Sequence, residues 1–165
     1  MQEELCEKIV EVRRRSDRVM VMVMVLAFEE ESAYAPQRGR TDTEKDAFYD
    51  EMASERDLHR KNEMALGFED LSGHVGKYAD GFEGVHGGNG IGEKNVEGRQ
   101  LLEFCDKREL CVTDTWFNKK EKRKVTFSAG GNETEIDFVL VSKENRKYLR
   151  CESHSVGTAT QVGGC

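Results

Sequence analysis

The alternation of apolar and polar positions divides the chain into short strands and two amphipathic helices. Residues 8–13, KIVEVR, alternate as a strand does, and after the turn text RRSD a second run over 18–28 predicts the return strand of a hairpin. In that second run Val alternates with Met, so both faces are apolar, which predicts a strand covered on both sides. From Thr41 the period changes. Thr41 and Glu44 have capping-box spacing, and Ala47, Phe48 and Met52 form one apolar side of a helix reaching about residue 60.

A strand over 63–68 leads into Glu69 and Asp70 and breaks at once into Ser72, Gly73, His74 and Gly76. Residues 81–92 hold six glycines. Neither a preceding strand nor the Lys and Ser/Thr of a P-loop accompanies them, so a flexible surface loop is predicted. Asn95 is placed to cap a second helix, 95–110, with Leu101, Leu102, Phe104 and Cys105 packed inward. A strand over 111–117 follows, with Trp116 in the core or at its rim. VTFSA (125–129) and IDFVLV (136–141) then read as a hairpin about Gly130 and Gly131. Residues 151–165 have no periodicity and are predicted to be a disordered tail to a single domain over 1–150. The fold class is α/β (α+β), sheets covered by helices.

Composition narrows the function. A length of 165 residues suits one domain with a usable core. The chain is 37% hydrophobic and 35% charged, with a net charge of -7, so overall charge does not recruit nucleic acid. Any DNA contact has to come from local basic groups: residues 13–15, Arg38 with Arg40, the KKEKRK run at 119–124, and residues 146–150. Five cysteines form no CxxC pair, and no histidine stands at zinc-ligand spacing from them, which predicts a reduced, intracellular setting (nuclear or cytoplasmic) and no structural zinc. The longest apolar run, 19–28, is about half of the roughly 20 residues a membrane helix needs. Acidic residues crowd the start of the chain and no cleavage site follows Phe28, so neither a membrane partner nor a signal peptide is predicted.

Candidate chemistry centres on Asp70. A strand that stops at an acid and turns through small residues can offer oxygen ligands to a hard cation such as magnesium, although a solvated turn has the same composition. The alternatives separate only when two other stretches are considered, SAYAPQ at 32–37 and TEIDFVLVS at 134–142. The ordered set resembles the endonuclease/exonuclease/phosphatase superfamily, whose AP-endonuclease branch has an Ala-Tyr-x-Pro segment, a Gly-Asp-(Leu/Phe)-Asn segment and an Asp within an apolar strand. GRTDTEKDAFYDEM, the Gly-His-Val-Gly after Asp70, NVEGRQLLEF, DTWF and VTFSAGGNETEID further resemble the endonuclease domain of RTE-type retrotransposons, from about Lys8 to about Lys143.

That resemblance implies a partial four-layer-type β-sandwich flanked by helices, with sticky sheet edges. Asp70 matches the Asp that orients or deprotonates the attacking water and contacts the metal, Tyr34 the Tyr that contacts the phosphate, and Asp137 the strand Asp at the edge of the site. Phe127 and Ile136 fall where the branch has its abasic-sugar pocket, and Lys119 and Lys120 are the basic candidates for DNA. The implied cofactor is magnesium or manganese, weakly bound. Ser72 stands where the family has an Asn amide donor. The upstream strands bearing the family's Asn and metal-binding Glu, and the terminal Asp-His segment, have no counterpart in the text; His154 stands too early and without an adjacent Asp. A further strand that precedes Ala-Tyr-x-Pro in relatives has little room here, which predicts a deletion. The functional expectation is a retrotransposon-derived, endonuclease-like domain with impaired catalysis. The alternatives are an active nuclease recruiting Glu69 or Glu135 and a non-catalytic module binding protein or nucleic acid.

Overall fold

The computed structural model describes residues 9–14, 16–24, 28–34, 40–58, 64–70 and 73–149. The strands are β1 (Ile9–Arg14), β2 (Val19–Met24), β3 (Phe28–Tyr34), β4 (Met64–Asp70), β5 (Leu110–Val112), β6 (Phe127–Ala129), β7 (Asn132–Thr134) and β8 (Asp137–Ser142), with helices α1 (Asp42–Leu58) and α2 (Val96–Lys107). A six-stranded sheet runs in the order β1-β2-β3-β4-β8-β5, and β6 and β7 form a separate two-stranded sheet. All neighbours in the large sheet are antiparallel except β3 and β4. Parallel neighbours need a crossover, and α1 lies within the connection that supplies it.

Both helices begin where the sequence places them. Thr41 Oγ1 accepts from the Glu44 N–H at 3.3 Å while the Glu44 carboxylate accepts from the Thr41 N–H at 3.0 Å, the reciprocal capping box. The helices run side by side in the same sense, joined by Lys45 to Glu97 at 3.3 Å, the Tyr49 and Phe104 rings at 5.1 Å and Arg108 to Asp57 at 2.7 Å. Their apolar sides, Phe48 and Met52 from α1 and Leu101, Leu102 and Phe104 from α2, bury against Val19, Leu110, Val112, Phe138 and Leu140 of the sheet. Removing this surface from water is what holds helices to sheet.

Several expectations need correction. The apolar Val/Met strand is not covered on both sides along its described length: Val19 and Val21 are buried, but Met20, facing the other way, is 36% exposed, and Val12 of β1, opposite Met22 and on that same face, is 54% exposed. The run over 18–28 is also not one strand. It ends at Met24, and Phe28 opens β3, which pairs with β2 on one side and β4 on the other. The strand expected to be deleted before Ala-Tyr-x-Pro is therefore present. Its glutamates conceal it, because ladder bonds are made by backbone groups and tertiary context overrides residue preference.

The glycine-rich stretch is packed, not a surface loop. Val85 and His86 are fully buried, Val112 N–H donates to Val85 O at 3.0 Å, and His86 bridges to Val112 along the outer edge of β5. The His86 ring meets Gly76 O through Nε2 at 3.0 Å and receives the Gly88 N–H at Nδ1 at 3.0 Å, which fixes the neutral Nε2–H tautomer. Burial pulls its pKa below the usual value, in agreement. At the opposite end of the sheet nothing among the described residues pairs with the outer edge of β1.

The expected strand over 111–117 stops at Val112 and gives way to a 3-10 turn, Thr113–Trp116. Thr115 Oγ1 donates to Val112 O at 2.7 Å, a local bond that competes with the ladder. Finally, Gly130 and Gly131, with φ of 60° and 83°, close β6 onto β7 and not onto IDFVLV. IDFVLV belongs to the large sheet as β8, between β4 and β5. The expected tail, 151–165, lies outside the described residues.

Candidate functional site

Because β3 and β4 are parallel, they end at the same edge of the sheet, and their register sets Tyr34 opposite Asp70. Antiparallel β8 begins at that edge, with Asp137 opposite Asp70. Three backbone positions far apart in sequence thus form one row across three adjacent strands. Asp137 is solvent-exposed, as the first residue of a strand at the end of the sheet allows. Ser72 lies outside the described residues.

The entry of β8 is fastened by side chains from two other elements. Thr126 Oγ1 accepts from the backbone N–H of Ile136 at 3.0 Å and of Asp137 at 3.2 Å. Asp114 accepts from the Val139 N–H at 3.1 Å, beyond the last residue of β5 that could pair there. An unpaired backbone donor is costly, so Asp114 does the work of a missing strand residue. Asp114 was not singled out in the sequence. Its only signal is an Asp between two Thr at a strand end, where such side chains bond to backbone.

Lys119, one of the basic candidates, sits with Nζ 3.9 Å from Asp114 and 5.7 Å from the Phe117 ring centroid, while Lys120 is exposed. Phe127, on β6, is half exposed, and Ile136 is partly buried. The cation of Arg146 stacks 3.8 Å from the centre of the Trp116 ring, whose Nε1–H donates to Val85 O at 3.2 Å, so Trp116 belongs to the rim.

Next to the fastened start of β8 is a cavity of about 180 Å³ whose lining includes His74, Ile91, Glu93, Glu133, Thr134 and Glu135. Glu135 is only 7% exposed, and its Oε2 has no hydrogen-bond partner among the described residues. Burial pushes its pKa up to about 7, the Asp114 carboxylate adds to the rise, and Lys124 and Lys119 oppose it. Lys124 is itself buried and donates from Nζ to Asn89 O. Neither Phe127 nor Ile136 lines this cavity.

The other wall is set by Asn95. Its Oδ1 accepts from Gly98 N–H at 2.7 Å, capping α2, and from His74 N–H at 2.9 Å, while Asn95 N–H donates back to His74 O at 3.1 Å. One side chain thus starts the helix and holds the chain leaving β4. Asn95→Ala removes a cap and leaves the His74 donor without its bond, so it is expected to cost about 2 kcal/mol, read as a lowered denaturation midpoint with an unchanged slope.

The described residues contain no group of three or more His, Cys, Asp or Glu side chains that could hold a metal ion. No described helix is long and apolar enough to cross a membrane.

The comparison with solved structures gives the chain the fold of endonuclease/exonuclease/phosphatase-type enzymes. Its fold is similar to the 3′ phosphatase NExo from Neisseria, whose structure contains a product DNA hairpin, with a TM-score of 0.59 and 13% identity over 84% of this chain and 60% of that one. An AP endonuclease from Archaeoglobus fulgidus is similar at a TM-score of 0.57 and 11% identity, over 85% of this chain and 61% of that one. In sequence the chain is 28% identical over 119 residues to craniofacial development protein 2 of Bos taurus, and 25% identical over 119 residues to that of Tragulus javanicus. These matches take in 71% of this chain, which spans 20% of the length of either relative. No protein-family model matches it.

Proposed function

We propose that the chain is a retrotransposon-derived, endonuclease-like domain of the metal-dependent phosphodiesterase class, directed at DNA and impaired in catalysis. The observation that carries this reading is the row Tyr34, Asp70, Asp137 across the ends of β3, β4 and β8. Phosphodiester hydrolysis needs a water placed in line, a contact that neutralises a phosphoryl oxygen, and help for the leaving oxygen. Asp70 is assigned to orient or deprotonate the water, Tyr34 to contact the phosphate, and Asp137 to border the site from the neighbouring strand. Phe127 and Ile136 are the candidates for a sugar contact, and Lys119 and Lys120 for the DNA backbone.

The described side chains supply no metal cage. Asp70 is the one assigned contact for magnesium or manganese, and an ion held by so few carboxylates keeps most of its water. Impairment follows also from Ser72, which carries no amide to donate to the transition state. Loss of one such donor is typically worth about a hundredfold or more in rate.

Nicking of a supercoiled plasmid and of an abasic-site duplex, with magnesium and with EDTA, is expected to run at least about a hundredfold more slowly than for an intact relative. Robust EDTA-sensitive cleavage abolished by Asp70→Ala would overturn the impairment. Salt-dependent retention of DNA without cleavage, unchanged in Asp70→Ala, would favour the binding module instead.

A further inference from the structure

The large sheet ends differently at its two sides. The outer edge of β5 is closed by the chain itself, since Val112 N–H donates to Val85 O at 3.0 Å and His86 bridges to Val112. The outer edge of β1 has no such cover among the described residues, which leaves its backbone donors and acceptors open to another strand. The usual protections are weak there. The strand, IVEVRR, holds no proline or lysine, and its register shift lies at its start, between Ile9 and Glu11, so residues 11–14 are regular. Val12, 54% exposed, stands within this stretch, and Met20 is exposed on the same face of β2.

The charges on β1 decide what fits the edge. Bringing the same edge of two copies together antiparallel requires a two-fold axis normal to the sheet, and that axis passes between one residue and its twin. An axis at Glu11, Arg13 or Arg14 sets two like charges directly opposite each other, which is destabilising. An axis at Val12 sets the two exposed valines against each other and places Glu11 of each copy opposite Arg13 of the other, twice by symmetry. Arginines that would repel a foreign cationic strand thus meet an acid only in this register. We infer that the outer edge of β1 binds a second copy of this chain, antiparallel about Val12, so that the sheet continues from one copy into the other. Both open edges are used up in the pair, so assembly stops at the dimer. One strand edge buries less than the roughly 1,000 Å² of a stable interface, so the dimer is weak and depends on concentration. The rows Tyr34, Asp70, Asp137 lie on β3, β4 and β8, separated from the junction by β2, and stay open.

The test is sedimentation velocity of the full chain over about a hundredfold range of concentration, with amide hydrogen exchange read along β1. A monomer–dimer equilibrium is expected, with β1 amides better protected at the higher concentrations. Val12→Lys puts two cations on the axis at a position that the monomer leaves open to water, and is expected to weaken the dimer about tenfold. Glu11→Arg and Arg13→Glu each set like charges opposite each other twice, and each is expected to weaken self-association by about the same factor. Mixed together, those two variants regain both pairs of opposite charge, and the mixture is expected to associate about as tightly as the parent. Val12→Lys decides alone if Arg13→Glu does not fold. A monomer at every concentration, a dimer insensitive to Val12→Lys, a mixture of folded variants no tighter than its components, or growth beyond the dimer would overturn the proposal. So would β1 protection independent of concentration, which would assign the edge to a segment of the same chain. None of these outcomes bears on DNA cleavage.

Discussion

Gly98→Ala is expected to destabilise the chain by about 3 kcal/mol, although alanine is the better helix former by about 1 kcal/mol. Gly98 lies in the first turn of α2, and a β-carbon there would run into the His74 carbonyl group and come within 2.9 Å of Val75 N. These are backbone atoms, held by the reciprocal bonds between His74 and Asn95, so they cannot rotate away as a side-chain end would. Forcing them apart costs about 4 kcal/mol gross, above the usual range for overpacking because backbone must move. Urea denaturation of the variant against the parent measures it. A midpoint equal to or above the parent's would show that the chain after β4 yields freely.

The second large effect is a pH dependence that Glu135 imposes on stability. Its folded pKa is about 7 against an ordinary value of 4.5, so between those values the folded chain holds a proton that the unfolded chain has released. Its stabilising contribution is fully present below about pH 4.5 and is lost as pH rises through about 7. The difference across the window is about 3 kcal/mol, at 1.36 kcal/mol per pKa unit. His86 acts in the opposite sense. Its folded pKa is depressed, so its contribution grows as pH rises toward 6.5, and the net slope of the parent is blunted. Comparing the parent with Glu135→Gln at each pH cancels the His86 part. The variant, with no proton to lose, should gain on the parent from pH 5 to about pH 7 and level off above it. A constant difference across that range would show that Glu135 ionises at its ordinary pH.

Much of the fold was legible from the sequence because it rests on local chemistry. The capping box at Thr41 and Glu44, the Asn95 cap, the inward set Leu101, Leu102, Phe104 and Cys105, and the tight turn at Gly130 and Gly131 each depend on residues a few positions apart. The motif order also indicated which fold to expect. What the sequence could not decide was pairing between distant segments. The glutamates of β3 concealed a strand that sits inside the sheet, and IDFVLV looked like the partner of VTFSA until β4 and β5 claimed it. Residues 81–92 read as loop chemistry, yet Val85 and His86 are buried, because a backbone bond from Val112 to Val85 and a side-chain bond from His86 to Gly76 O tie the segment to the core. The candidate residues Tyr34, Asp70 and Asp137 could be named from motifs, but their common row is a product of strand register. Glu135 shows the same division: its sequence neighbours give an acid before a strand, and only the tertiary structure makes it a buried carboxyl with an unmatched oxygen, under the charges of Asp114 and Lys124. Sequence by itself determined the elements and the kinds of chemistry available. Tertiary structure decided which of those groups meet and which are cut off from water, since burial and long-range register are properties of the assembled sheet and not of any one segment.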